Sequence, residues 1–271
     1  MFKRSVNITR IKKGEKKKEE QDMVLIESPI DLHVNSEPLV NIICLPNDLK
    51  ELAVGFLFSV GIINSIEDIK EIIIEELENK ISVELKDSIS FSNQNLVLTP
   101  VSRVIDTTCG ISSPWRNLIK ETLDESKESI KTQEPIKIKS EIIFTSVKEM
   151  QKHTTLYRET GGCHGAAIFD LKGNLLGCKE DIGRHNAIDK VIGELLIKKH
   201  DFRHIFLAST GRLTGDSVLK AIRAKIPIVI SLSAAIESGI RLAFGYGFTL
   251  VGFVRGSRMN IYTHSNRIEL S

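Results

Sequence analysis

From Ser140 to Thr263, short apolar runs alternate with amphipathic segments, and few architectures accommodate that order. Apolar periodicity predicts helices over 141–152, 185–199, 214–224 and 236–246. It predicts strands over 163–169, 175–180, 204–208, 227–232, 248–254 and 259–263. A turn at Lys172-Gly173-Asn174 joins the first two strands. Strands separated by helices of about 10–15 residues read as βαβ crossovers, so the expectation is a largely parallel sheet with helices on both faces. The fold class is α/β, with residues 140–271 as the α/β domain expected to carry the binding site.

The first third reads differently. Short strands are expected at Val24–Ile26, Leu32–Val34 and Leu39–Leu45, with turns at Ser28-Pro29 and Asn35-Ser36. Pro46-Asn47-Asp48 then stops the last strand. Leu49, Leu52, Ala53, Phe56 and Leu57 follow at helical spacing, giving one apolar face. Ile69–Glu76 and Ile81–Leu85 resemble a strand pair, and together these segments make a smaller α+β domain over 23–105. Residues 106–139 read as a mobile linker carrying Cys109, with one short helix near Trp115–Leu123.

Charge is nearly balanced, 37 Lys and Arg against 35 Asp and Glu, which argues against a dedicated nucleic-acid binder. Residues 1–22 hold eight Lys or Arg and four acids, and this polar segment reads as a disordered basic tail. No apolar stretch follows Lys3-Arg4, and the longest apolar run, Ala53–Ile63, is far short of the ~20 residues of a membrane helix. A cytoplasmic protein with no membrane partner is expected.

The unusual residues cluster at predicted strand ends, where ligands bind in open α/β sheets. Thr160-Gly161-Gly162-Cys163-His164-Gly165 precedes a strand, and Glu180-Asp181-Ile182-Gly183-Arg184-His185-Asn186 joins a strand to a helix. Ser209-Thr210-Gly211-Arg212 opens another helix, and Phe253-Val254-Arg255-Gly256-Ser257-Arg258 ends a strand. Taken singly, Gly161-Gly162 could relieve a turn, Asp181 could cap a helix, and each histidine could be a satisfied structural residue. Four Gly-bearing loops, three of them with Arg, point instead to an anionic, phosphate-bearing ligand: guanidinium groups bind phosphate bidentately and glycine lets backbone N–H groups approach. The His-x-Glu…Pro-Cys-x-x-Cys pattern of zinc deaminases is absent, since no His is followed two residues on by Glu. No metal site is expected.

The four cysteines, Cys44, Cys109, Cys163 and Cys178, fit neither a disulfide framework nor zinc-site spacing. Cys44 and Cys178 read as core. Cys163, beside the Gly pair and His164, is ambiguous. Cys109, in Asp106-Thr107-Thr108-Cys109-Gly110-Ile111-Ser112-Ser113-Pro114, sits off any periodic apolar face and is the best nucleophile candidate.

These residues resemble the formate dehydrogenase accessory sulfurtransferases, the FdhD family. The resemblance spans Leu25 to Ile268. It is most specific in the Gly-Gly-x-His segment at 161–164, Glu180–Lys190 (EDIGRHNAIDK), Thr210-Gly211-Arg212 and Thr249–His264 (TLVGFVRGSRMNIYTH), with a further match in DLKELAVGFLFSVGII after Pro46; Cys163 departs from it, at a position usually apolar in the family. It implies a cytoplasmic homodimeric sulfurtransferase. Such a protein receives sulfur from a cysteine desulfurase and passes it to the molybdenum cofactor, a bis(molybdopterin guanine dinucleotide), for formate dehydrogenase; GDP would mimic part of that ligand. It also implies a three-layer α/β/α, cytidine-deaminase-like domain without its zinc.

By position, Cys109 matches the persulfide-carrying first cysteine of the family's Cys-Gly-x-Cys loop, and Phe253–Arg258 matches the stretch assigned to cofactor binding. Gly161, Gly162, His164, Asp181, Arg184, His185, Asn186, Gly211 and Arg212 are further candidates for that pocket. The family's second loop cysteine is replaced here by Ser112, which cannot hold a persulfide. A two-cysteine relay within the loop is thereby excluded, and a one-cysteine carrier is expected. The alternatives are a delivery chaperone that binds cofactor without sulfur chemistry, and a generic nucleotide-binding or nucleoside-modifying protein. A second-thiol role for Cys163 is a further possibility.

Overall fold

A computed structural model of the chain describes residues 2–89, 104–105, 115–117, 119, 123 and 136–270. Cys109 and Ser112, and most of the predicted 106–139 linker, lie outside the described residues. Two larger sheets share one apolar core. The first is five-stranded, in the order β5 (Ile69–Glu75), β6 (Lys80–Leu85), β3 (Ser28–Val34), β4 (Glu37–Cys44), β7 (Val104–Ile105). Its strands alternate as period-two sequences must: Ile30, Leu32 and Val34 of β3 and Ile81, Val83 and Leu85 of β6 are buried. These side chains pack with α1 (Leu49–Ser59). Trp115, Ile119 and Leu123 are helical, as predicted, and join the same core, with Trp115 edge-on to Phe56 at 5.4 Å.

The expected elements between 140 and 263 are all present, with ends moved by one or two residues. They are α2 (Ser140–His153), β9 (His164–Asp170), β10 (Leu175–Asp181), α4 (Arg184–Ile197), β11 (Ile205–Ser209), α5 (Gly215–Arg223), β12 (Ile228–Ser231), α6 (Glu237–Tyr246), β13 (Thr249–Arg255) and β14 (Arg258–Thr263). A short α3 (Thr155–Thr160) is added, and β8 (Ile138–Lys139) pairs with β15 (Ile268–Glu269) beside them.

The sheet is mixed, which corrects the largely parallel expectation. In the order β10-β9-β11-β12-β13-β14 only β11–β12 and β12–β13 are parallel. The reason lies in the connections: helical crossovers return the chain parallel, whereas tight turns return it antiparallel. Both hairpins turn at a left-handed glycine, Gly173 (φ 88°) for β9–β10 and Gly256 (φ 60°) for β13–β14. Alternate strand residues enter two separate cores. Ile168, Leu207 and Val229 face the core shared with α1, α4 and α5. Phe169, Phe206, Ile228 and Ile230 face Ile143, Val147 and Met150 of α2. Helices therefore cover both faces of a mixed α/β sheet.

The predicted disordered tail is a second correction. Lys3–Arg10 (β1) and Lys18–Leu25 (β2) form an antiparallel ribbon with Lys3 opposite Leu25 and Arg10 opposite Lys18. Summing the charge over the whole segment concealed its distribution: β1 is purely cationic, while β2 carries Glu19, Glu20 and Asp22. Folding back pairs them, with Arg10 at 2.7 Å from Glu20. Phe2 and Leu25 then pack against a small cluster of Leu45, Leu156 and Cys163.

Candidate functional site

Strand register gathers the four suspected loops on one sheet edge. Asp181 pairs with His164, Ser209 with Ala166 and Ser231, and Arg255 with Arg258. The carboxyl ends of β10, β11, β12 and β13 therefore share an edge with the starts of β9 and β14. Shared location does not give these residues a shared task.

One group is a structural clasp. Asp181 is fully buried and its carboxylate is saturated: Oδ2 accepts from Leu45 N–H (3.0 Å) and pairs with Lys190 Nζ (2.7 Å), while Oδ1 accepts from Gly183 N–H (2.8 Å) and Asn186 Nδ2 (3.0 Å). Asn186 also donates to Ile43 O (3.0 Å), and Lys190 donates to Leu45 O (3.0 Å) and Asn47 Oδ1 (2.9 Å). Glu180 accepts from the Leu156 and Tyr157 N–H groups (3.0 and 2.7 Å), satisfying the open start of α3. This motif ties the chain after β4 to the second sheet, so Asp181, expected at the ligand, has no acceptor capacity left for it, and both side-chain N–H groups of Asn186 are engaged within the fold. Gly161 likewise ends α3, with φ 63° and its N–H on Tyr157 O (2.8 Å). Gly161 and Gly162 are exposed but do not line the cleft described below.

A second group is electropositive. Gly211 packs against the Arg184 side chain, where a Cβ would have no room. His164 Nδ1 lies 3.2 Å from Thr210 Oγ1, which also accepts from Gly165 N–H (3.0 Å). Burial, the Arg184 charge and, less strongly, that of exposed Arg212 lower the pKa of His164, only partly opposed by Asp181. His185 is almost fully buried, and burial, Lys220 and Arg184 depress its pKa well below the ordinary value. Its Nδ1 sits 3.4 Å from Ser217 Oγ, and its Nε2 has no partner among the described residues. Both imidazoles are therefore held neutral in a cationic setting.

A third group forms a cleft of about 540 Å³. Thr210, Leu232, Ser233, Val254, Arg255 and Gly256 supply its strand-end wall. Phe144, Val147, Lys148 and Gln151 of α2, with Tyr157 of α3, supply the other. The strand-end wall is shaped by a bulge between Gly252 and Arg255, at which Phe253 adopts a left-handed φ of 52°. Phe253 N–H donates to Ser233 O (2.9 Å), Arg255 Nε donates to Leu232 O (2.8 Å), and the guanidinium lies 5.6 Å from the Phe253 ring centroid. Ser257 and Arg258 complete the exposed turn, and Arg258 stands directly across from Arg255. Like charges opposed across a strand pair are destabilising until an anion neutralises them. Among the described residues no carboxylate pairs with Lys148, Arg212, Arg255 or Arg258.

The α2 wall was missed because its residues lie in a helix whose apolar stripe reads as core. The signal available in the sequence was a lysine bordering that stripe, which is common to surface helices.

The described cysteines are thiols, not thiolates. Burial pushes Cys44 and Cys178 up to about 12. Cys163 is pushed up to about 12 by burial and by Glu180, whose Oε1 lies 3.7 Å from Sγ. A second-thiol role for Cys163 finds no support in such a setting, since the thiolate is the nucleophile. Native Cys163 is expected to resist alkylation at neutral pH and to react on unfolding, as followed by peptide mass mapping. Rapid labelling in the native state would contradict this placement. No group of three or more potential metal ligands occurs among the described residues. No described helix is long and apolar enough to cross a membrane.

With this geometry established, comparison with known proteins identifies the lineage. A family model described as the FdhD/NarQ family matches residues 25–269. Proteins named sulfur carrier protein FdhD are similar along their whole length. That of Sulfolobus acidocaldarius is 36% identical over 98% of this chain and 99% of its own, and that of Bacillus subtilis is 33% identical over 97% and 96%. The crystal structure of a formate dehydrogenase accessory protein from Desulfotalea psychrophila superposes with a TM-score of 0.76 at 28% identity, covering 99% of this chain and all of that one. The chain belongs to the FdhD/NarQ family.

Proposed function

We propose that this protein is a sulfur carrier for formate dehydrogenase: it accepts a sulfur atom on Cys109 and passes it to a molybdenum bis(molybdopterin guanine dinucleotide) bound as substrate at the strand-end cleft. The observation that carries this reading is the meeting of Arg255 and Lys148, without carboxylate partners among the described residues, on one cleft at the carboxyl edge of the sheet. A cofactor with two diphosphates is the kind of anion such a cleft would take. Relatives at 33–36% identity bear the name sulfur carrier protein, which supports the chemistry. In this reading the C-terminal half is a cytidine-deaminase-like layer without zinc, and the protein acts as a cytoplasmic homodimer.

The donor is a cysteine desulfurase. The Cys109 thiolate attacks the outer sulfur of the donor's persulfide, the donor S–S bond breaks, and the donor cysteine leaves as thiolate with no net redox change. Releasing that sulfur as sulfide takes up two electrons. With Ser112 where a second loop thiol would stand, an external thiol and the Cys109 sulfur give one electron each, and the two end joined as a mixed disulfide.

Two measurements test the proposal. Incubation with a cysteine desulfurase and cysteine should add the mass of one sulfur to the wild type and to Cys163→Ala, and not to Cys109→Ala. Titration with GDP should give binding that Arg255→Ala weakens by roughly 10- to 100-fold, the range of a lost charge-assisted hydrogen bond. GDP binding without any sulfur adduct would favour a delivery chaperone, the reading that Ser112 keeps open.

A further inference from the structure

The cleft wall formed by α2 is built as regularly as the strand-end wall. Phe144, Val147, Lys148 and Gln151 recur at i, i+3, i+4 and i+7, so they form one stripe about two turns long. Val147 is buried in the core beneath the sheet and Phe144 packs against it, which fixes the stripe in place. Lys148 and Gln151 are the exposed members. Lys148 differs from the other basic residues of its helix. Lys152 Nζ is 2.8 Å and His153 Nε2 3.2 Å from Glu149, so the neighbouring carboxylate is already occupied.

Across the cleft, Arg255 spends Nε on Leu232 O, which orients the guanidinium plane. Its Nη donors make no bond to any described residue. A planar fork on one wall and a mobile point charge on the other are suited to two adjacent anionic centres. The fork engages one phosphate bidentately, and the ammonium follows the second.

We propose that Lys148 is a ligand-binding residue that closes on a nucleoside diphosphate from the α2 wall while Arg255 holds it from the strand-end wall, so that the cleft selects a diphosphate over a monophosphate. This inference rests on the reading of the cleft as the site of the cofactor's nucleotide. A monophosphate satisfies one cation and leaves the other solvated, whereas a diphosphate engages both. Selectivity therefore resides in Lys148, and affinity common to both ligands resides in Arg255.

Isothermal titration of the full chain with GDP, GMP and inorganic pyrophosphate tests this. Lys148→Ala should weaken GDP roughly 10- to 100-fold while changing GMP little, so that the preference for GDP collapses. Lys148→Arg should retain most of it, and Lys152→Ala, on the same helix, should match the wild type. Pyrophosphate that binds the wild type and is weakened by Lys148→Ala assigns the contact to the diphosphate itself, free or nucleotide-borne. An unchanged GDP-to-GMP ratio in Lys148→Ala overturns the proposal. If Arg255→Ala loses GDP while Lys148→Ala does not, only the clamp falls. If neither substitution alters GDP binding, the cleft is not the nucleotide site and the parent reading falls with it.

Discussion

Lys190→Met is expected to destabilise the protein by about 3–5 kcal/mol, the usual consequence of removing one partner from a buried ion pair. Lys190 and Asp181 have no solvent exposure, and their side chains meet at 2.7 Å. Removing the ammonium strands a carboxylate in the interior, where it keeps three neutral donors and no countercharge. It also releases Leu45 O and Asn47 Oδ1, both held by the same ammonium. The damage therefore falls on the junction between the first sheet and the second. Joint replacement, Lys190→Met with Asp181→Asn, should recover part of the loss because the stranded charge is gone. Urea unfolding of the three proteins measures this. A cost below about 1 kcal/mol for Lys190→Met would mean that water or backbone movement compensates the charge.

Gly193→Ala is the second large effect, because the crossing of α1 and α4 leaves no space for a methyl group. A Cβ at Gly193 would collide with the Glu51 carbonyl, and one at Gly55 with the Asp189 carbonyl. Both obstacles are backbone, which cannot rotate away as a side chain can. Alanine in a helix interior is favoured over glycine by roughly 1 kcal/mol, so an open site would gain stability. Here separating two helices in a close-packed core costs more, typically about 1–3 kcal/mol and at times beyond. A net loss of about 2 kcal/mol or more is expected for either substitution. Asp189 adds to the sensitivity of this crossing: it pairs with buried Lys220 at 2.7 Å and accepts from Ser59 Oγ at 2.6 Å, so any helix shift also disturbs a buried charge pair. Equal or higher stability of Gly193→Ala in thermal or urea unfolding would refute the packing described here.

The two predictions show where the sequence was legible and where it was not. The EDIGRHNAIDK motif stood out because polar residues crowd a strand-to-helix turn. Nothing local separates a carboxylate that waits for a ligand from one that holds a neighbouring segment. Asp181 proved to be the second kind because Leu45, far away in the chain, brings its N–H to the carboxylate. Arg255 carries the same local ambiguity, but its surroundings differ: no carboxylate among the described residues approaches it, and it lines the cleft. The ribbon of β1 and β2 was hidden for a related reason, since its stabilising charge pairs form only when the chain folds back on itself.

The sequence by itself determined the order and kind of the main helices and strands between Ser140 and Thr263, the turn at Gly173, and the loops that carry unusual chemistry. Those features depend on periodicity and backbone freedom, which residues a few positions apart dictate. Only the tertiary structure decided that the sheet is mixed, that Asp181 and Asn186 clasp two sheets, that Gly55 and Gly193 seat one helix on another, and that α2 forms half of the cleft. Each of those outcomes depends on which distant groups become neighbours, and desolvation then settles whether a charge is spent inside the fold or kept for a ligand.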